Sequence, residues 1–179
     1  MNGSFAALAV NFIGFQLLWF VAVYGAARGW GAAALLVLLA MQAGVWALNR
    51  GWRRDAPLLA VGALACLVCE PLWMAPQLIR YVDWSAGWLA PAWIWSLWLG
   101  FAVSFNYCLA WLRRRLWLAA VFGALGGVFS VTVGIRLGAA DTPHGWWALA
   151  LVYGVVWAVV VPGLAWLARR LEEEQRDYA

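Results

Sequence analysis

Residues 116–137, LWLAAVFGALGGVFSVTVGIRL, form a long apolar stretch in which Arg136 is the only charged side chain. A helix rises about 1.5 Å per residue, so this stretch would extend about 33 Å as a helix. The hydrocarbon core of a bilayer is about 30 Å thick. Since backbone polar groups in lipid must be paired within their own segment, the stretch predicts a transmembrane helix.

Five further stretches have the same character, and together they predict one all-α membrane domain over the 179 residues. Of these residues, 66% are hydrophobic and 11% are charged, whereas soluble proteins hold about 25% charged residues. That composition excludes a soluble globular domain and a disordered chain. We therefore predict a polytopic bundle of six transmembrane helices, at about residues 5–27, 30–48, 56–77, 88–112, 116–137 and 146–167, followed by a short charged cytoplasmic tail at 168–179.

The arginines predict the orientation of this bundle. With six helices, both termini share a side with the connection between the second and third helices and with that between the fourth and fifth. That side carries nine arginines, and the opposite side carries three, Arg28, Arg80 and Arg136. Because basic residues concentrate in cytoplasmic loops, both termini are predicted to be cytoplasmic.

The charged residues also exclude several chemistries. All 12 basic residues are arginines, so the chain cannot form a lysine Schiff base or a lysine-containing phosphate loop. His144 is the single histidine, which excludes a histidine-rich metal site and a haem held between two histidines. We expect no metal, no cofactor and no nucleic-acid partner. In a membrane protein the net charge of +4 reflects topology and contact with anionic lipids.

Glu70 is the only acidic residue inside a predicted transmembrane segment. Ionisable groups are costly in the membrane, so this residue is a candidate functional site. Pro71 follows it and predicts an interruption of the helix at Glu70. A carboxylate at a broken helix is typical of ion and substrate sites in transporters. The structural alternative is a protonated Glu70, or an ion pair with Arg136 or Arg80 that would hold two helices together.

A second group of polar side chains is predicted toward the cytoplasmic side of the bundle. Asn11 and Gln16 are five residues apart, about 140° around a helix, so they cannot face one neighbour together. Gln42 and Asn106 lie on other predicted helices. The four side chains predict either hydrogen bonds between helices or a polar cluster that orients a ligand.

Tryptophan is unusually abundant, with 16 of the 179 residues. Many of these residues lie near the predicted membrane interfaces, where aromatic side chains form a belt. Trp95 and Trp98 lie deeper and are three residues apart, so they can share one helix face, whereas Trp93 points elsewhere. The deeper tryptophans predict either packing against helices and lipid or an aromatic cavity for an apolar ligand.

Two pairs of glycines on the fifth predicted helix have the four-residue spacing of small residues at helix interfaces. They are Gly123 with Gly127 and Gly134 with Gly138. Glycine has no side chain to keep backbones apart, so both pairs predict the close approach of another helix.

Three motifs resemble those of the family called domain of unknown function 2878. They are NFIGFQLLWF at 11–20, LAPAWIWSLWLGF at 89–101 followed by Asn106, and GALGG at 123–127 followed by GIRLGA at 134–139. The resemblance implies a small multi-pass protein of the inner membrane of Gram-negative bacteria. It also implies an association with fatty-acid-modifying proteins, without indicating a mechanism. Two positions depart from the family pattern, which commonly has histidine at Tyr107 and proline at Val128.

Three hypotheses for the function follow. The favoured one is an accessory or lipid-handling protein, which binds an apolar ligand or a partner enzyme in the bilayer and contacts membrane lipids. The first alternative is a small transporter with a protonatable Glu70 at a broken helix. The second alternative is an integral lipid-modifying enzyme, which is disfavoured because the chain has one histidine and no lysine.

Overall fold

The computed structural model describes residues 3–82 and 87–177. Within these residues the chain is almost entirely helical, as predicted. A 3-10 helix at Ala110–Arg114 and two short strands, β1 (Arg80–Tyr81) and β2 (Ala140–Asp141), complete the fold. The described α-helices are α1 (Gly3–Ala26), α2 (Ala33–Asn49), α3 (Trp52–Met74), α4 (Ala92–Ser104), α5 (Leu116–Arg136) and α6 (Trp146–Asp177).

Four of these helices are long and apolar enough to cross a membrane, as expected of a membrane protein. The spans that meet this condition are Phe5–Ala26, Trp52–Met74, Leu116–Arg136 and Trp146–Glu174. The other two helices, α2 and α4, are apolar but shorter.

The largest difference from the predicted helices concerns the fourth, which was expected at 88–112. The structure has regular helix only from Ala92 to Ser104, followed by turns and the 3-10 helix. Pro91 precedes α4 with extended backbone (ψ 157°) and so sets its start. At the other end, Asn106 and Tyr107 both bond to one carboxylate. On a regular helix these neighbours would point about 100° apart, so the chain leaves the helix.

The interruption predicted at Glu70 is wrong. Helix α3 starts earlier than expected, at Trp52, and stays helical through Pro57 and Pro71 to Met74. Proline removes one backbone hydrogen bond, and Pro71 removes it in the last turn, where little helix is left to disrupt. The carboxyl group therefore projects from a regular helix.

Helix α6 also differs from its predicted bounds, because it continues past residue 167 to Asp177. Arg169 and Glu173 form an ion pair one turn apart (3.1 Å) in this extension. Glu172 bonds Arg113 of the 3-10 helix (3.1 Å). These contacts support the helical conformation of the charged tail up to Asp177, and its last two residues, 178 and 179, lie outside the described residues.

Helix α5 packs closely against α6 through the first pair of glycines, as their spacing predicted. A Cβ atom on Gly123 would overlap the carbonyl oxygen of Trp157, and one on Gly127 would lie 2.7 Å from the Trp157 ring. The second pair is different. Gly138 follows the end of α5 with φ of +85°, in the left-handed conformation that glycine favours at helix ends, so it terminates the helix.

The two strands form an antiparallel pair in which Arg80 faces Asp141 and Tyr81 faces Ala140. This pair ties the connection that follows α3 to the connection that follows α5. Successive side chains of a strand point to opposite faces. Arg80 accordingly points outward, and Tyr81 points into the bundle, where 4% of its surface is exposed.

Candidate ligand-binding site

Glu70 is buried near the end of α3, with 2% of its surface exposed. Its Oε2 accepts hydrogen bonds from the Trp73 indole (2.8 Å) and the Tyr81 hydroxyl (2.7 Å). Its Oε1 accepts one from the Trp98 indole (2.8 Å). Burial, and after it the nearby Glu70, raises the pKa of Tyr81 well above its usual value, which keeps its hydroxyl a donor. Three neutral donors, from α3, β1 and α4, thus converge on one carboxyl group.

The arginine partner expected for Glu70 is wrong. Arg80 points away from the bundle and bonds Asp141 (2.7 Å) with 61% of its side chain exposed. This hydrogen bonding raises the pKa of Arg80. Arg136 lies exposed in the last turn of α5. In the part of the chain that the structure describes, Glu70 forms no ion pair, because the strand that carries Arg80 turns Tyr81 inward instead.

A cavity of about 380 Å³ lies between α1, α4, α5 and α6, with Glu70 and Tyr81 at one end. Binding sites for small molecules usually measure about 300–1,000 Å³ and combine apolar walls with a few polar groups. This cavity has that composition. Its aromatic walls include Phe15, Trp19, Trp93, Trp98, Tyr153 and Trp157.

The cavity opens on the side of the bundle, between α1 and α5. Gln16 of α1 and Phe129 of α5 line it and are both exposed, Phe129 to 71%. The Trp19 indole donates a hydrogen bond to the Ser130 hydroxyl (2.8 Å), which links the two helices across the opening. Both helices are long and apolar enough to cross a membrane, so the opening faces the direction in which lipid would lie.

Trp157 is one of the deeper tryptophans for which the sequence predicts either packing or an aromatic cavity, and it lines the cavity. Its ring stacks on Trp98 with centroids 4.8 Å apart. Its indole N–H is buried and has no hydrogen-bond partner among the described residues. A buried donor without an acceptor costs about 1–3 kcal/mol. The sequence indicates only the depth of Trp157 in a predicted helix, and its contact with Trp98 of another helix is not visible in the sequence.

The predicted pairing of Trp95 and Trp98 on one functional face is wrong. Trp98 lines the cavity, whereas the Trp95 indole bonds the backbone oxygen of Ala90 (3.1 Å) outside it. Trp93, which was expected to point elsewhere, lines the cavity and packs edge-on against Tyr81 (5.2 Å).

A second buried carboxylate, Asp55, lies in the first turn of α3 with no exposed surface. Its Oδ2 accepts hydrogen bonds from the Tyr107 hydroxyl (2.7 Å), the Trp46 indole (2.9 Å) and the Gln42 amide (3.4 Å). Its Oδ1 accepts one from the Asn106 amide (2.9 Å). We call these five residues the Asp55 cluster; it joins α2, α3 and the turn after α4.

The Asp55 cluster contains two of the four polar residues singled out from the sequence, Gln42 and Asn106. Asp55 itself was missed because the third helix was predicted to start one residue after it. An acidic residue directly ahead of an apolar stretch is a signal for the first helical turn, where the helix dipole favours negative charge. That signal would have placed Asp55 inside the helix.

The other two polar residues point in different directions, as their spacing on α1 requires. Asn11 is fully buried, and its side-chain oxygen accepts a bond from the Cys108 backbone N–H (3.4 Å). Gln16 is exposed and lines the opening of the cavity. Asn11 therefore serves helix packing, and Gln16 belongs to the candidate site.

A family model described as "Protein of unknown function (DUF2878)" matches residues 8–163. This range includes Glu70, every residue that lines the cavity, and the Asp55 cluster. The comparison with curated proteins and the comparison with solved structures found no match.

Proposed function

This chain belongs to the DUF2878 family of proteins of unknown function, and we propose that it is a lipid-handling protein that binds an apolar ligand within the bilayer. One observation carries the proposal: the aromatic cavity of about 380 Å³ that opens between α1 and α5. An apolar molecule can enter such an opening from lipid without crossing water. Held there, it would be available to a partner enzyme in the same membrane.

The proposal includes a location and a topology. We propose that all six helices cross the inner membrane of a bacterium, with both termini in the cytoplasm. The nine-to-three distribution of arginines supports this orientation. The pairing of β1 with β2 supports it as well, because it brings the arginine-poor connections after α3 and α5 to one end of the bundle.

Reporter fusions test this topology. A reporter fused at Ala179 should report the cytoplasm, and one inserted at residues 141–144 should report the periplasm. The measurement is the ratio of alkaline phosphatase to green fluorescent protein activity at each site. A periplasmic signal at Ala179 would contradict the proposed orientation, and the same compartment at both sites would contradict the crossing of the membrane by α6.

Replacing Gly126 by leucine tests the cavity as the binding site. Gly126 lines the cavity, and an added Cβ would meet no atom within 4 Å, so the leucine would occupy the cavity without displacing the backbone. We expect the amount of co-purified lipid per protein to fall at least tenfold. The measurement is mass spectrometry of lipid released from protein purified in mild detergent.

Gly163→Leu is the matched control for this experiment. Gly163 also lies on a helix, α6, with no atom within 4 Å of an added Cβ, but it does not line the cavity. This variant should retain its lipid. Equal lipid content in the two variants would mean that the ligand binds elsewhere.

A small transporter is the second candidate function. It is supported by one observation, the position of Glu70 on the wall of the cavity, since acidic residues within membrane proteins commonly serve transport. Uptake of a labelled ligand into sealed vesicles would favour the transporter. Binding of the same ligand without uptake would favour lipid handling.

A further inference from the structure

We infer that the ligand of this cavity carries a positively charged nitrogen group, an amine or a quaternary ammonium, joined to an apolar body, and that this group lies beside Glu70. The inference rests on the proposed function, because it concerns the same cavity. It adds the chemical class of the ligand and the residue that recognises its charge.

The hydrogen bonds of Glu70 are the first support. Its donors are two indoles and one phenol, at 2.7–2.8 Å. An indole N–H can only donate, so the site is arranged to stabilise the acceptor oxygens of a carboxylate. Yet no donor brings a positive charge. Buried charges in proteins are normally paired, and a cation bound in the cavity would supply the counter-charge that the described donors do not bring.

Within the ranges that the structure describes, the surroundings of the carboxylate contain titratable groups but no cation. Those that interact with Glu70 are Cys66 and Cys69 on its own helix, Tyr81 on β1 and Tyr153 on α6. Among the described residues that line the cavity, Glu70 is acidic and none is basic. Among these residues, Glu70 is therefore the source of charge on the wall of the cavity, and that charge is negative when its carboxyl group is ionised.

Aromatic faces are the second support. A cation is attracted to the face of an aromatic ring when it lies within about 6 Å of the centroid, and cages of such rings recognise quaternary ammonium groups. Trp98 lines the cavity and its N–H holds Glu70, while Trp157 covers one face of its ring. Trp93, Tyr81 and Tyr153 line the cavity at the same end.

The shape of the cavity is the third support. Glu70 lies four residues before the end of α3, about 6 Å along the helix axis, and therefore near one surface of the bundle. The lining residues of α5 run from Gly134 at that end to Phe122, a distance of about 18 Å along the axis. The apolar body of a ligand whose charged group lies beside Glu70 would thus lie in an apolar channel that extends into the bundle.

A pair of probes of equal shape tests the inference. Benzyltrimethylammonium carries the positive charge, and neopentylbenzene is the same molecule with carbon in place of nitrogen. Binding of each to the full chain in phosphatidylglycerol nanodiscs is measured by equilibrium dialysis, with empty nanodiscs as background. We expect the cation to bind at least tenfold more tightly than its neutral counterpart.

Two variants assign this preference to Glu70. Glu70→Gln should bring the two affinities to within about twofold while leaving the affinity for neopentylbenzene unchanged. Glu174→Gln removes the same charge from an exposed position on α6 and should keep the full preference. The comparison of the two probes on the unaltered chain does not depend on whether the Glu70 variant folds.

The outcomes separate this inference from the proposed function. Equal binding of the two probes, reduced by Gly126→Leu, would overturn the inference and leave the apolar ligand in place. Binding of neither probe would overturn both. Where the preference is found, adding phosphatidylethanolamine to the nanodiscs identifies the source of the amine: competition indicates a lipid headgroup, and unchanged affinity indicates a free lipophilic amine.

Discussion

Replacing Asp55 by alanine is expected to lower the free energy of unfolding by about 3 kcal/mol or more, since each buried donor left without an acceptor costs about 1–3 kcal/mol. The change would remove the shared acceptor of Tyr107, Trp46, Gln42 and Asn106. These donors come from α2 and from the turn after α4, so their loss would separate the elements at this end of the bundle. Thermal unfolding in detergent, followed by circular dichroism, measures the effect.

Two further substitutions calibrate this result. Asp55→Asn preserves the shape of the side chain and one acceptor oxygen, so it should lose about half as much stability. Asp141→Ala removes a carboxylate that is 54% exposed and pairs with Arg80 at the surface, and exposed ion pairs contribute little. If Asp55→Ala were as mild as Asp141→Ala, the Asp55 cluster would not hold these elements together.

Replacing Gly123 by alanine should also destabilise the protein strongly. The added methyl group would overlap the carbonyl oxygen of Trp157, and a backbone atom cannot rotate away, so α5 and α6 would have to separate. Overpacking of this kind costs about 1–3 kcal/mol. It would also draw Trp157 away from Trp98, on which it stacks, and would thereby change the wall of the cavity.

Gly126→Ala provides the control on the same helix. Alanine is favoured over glycine in helices by about 1 kcal/mol, and at Gly126 nothing within 4 Å opposes it. The unfolding temperature should therefore rise slightly for Gly126→Ala and fall for Gly123→Ala. A rise in both variants would show that helix propensity outweighs the contact between α5 and α6, and a fall in both would show that the space beside Gly126 does not accept a methyl group.

The helices were predictable from the sequence, because membrane-length apolar segments leave the backbone few alternatives. The ends of the helices were less predictable. The apolar sequence resumes at Cys108 and Leu109, so hydropathy gives no sign that Asn106 and Tyr107 turn toward Asp55. That turn depends on a carboxylate about fifty positions away in the sequence, so no local pattern reports it.

The candidate site was predictable in part. A lone acidic residue in an apolar segment has to face the bundle, and Glu70 is buried. Its partners were misjudged because charge complementarity favours an arginine, whereas the structure supplies indole and phenol donors. The inward direction of Tyr81 follows from the pairing of β1 with β2, two segments that neither length nor hydropathy identifies as strands.

The β1–β2 pair also determines when this site can form as the chain is made. Tyr81 is synthesised soon after Glu70, but the strand that fixes its direction, Ala140–Asp141, follows only after α4 and α5. The tryptophan and tyrosine that α6 adds to the cavity come later still. During biogenesis α3 therefore leaves the ribosome with a glutamate whose surroundings are incomplete, and the candidate site is completed only when the last helix has been made.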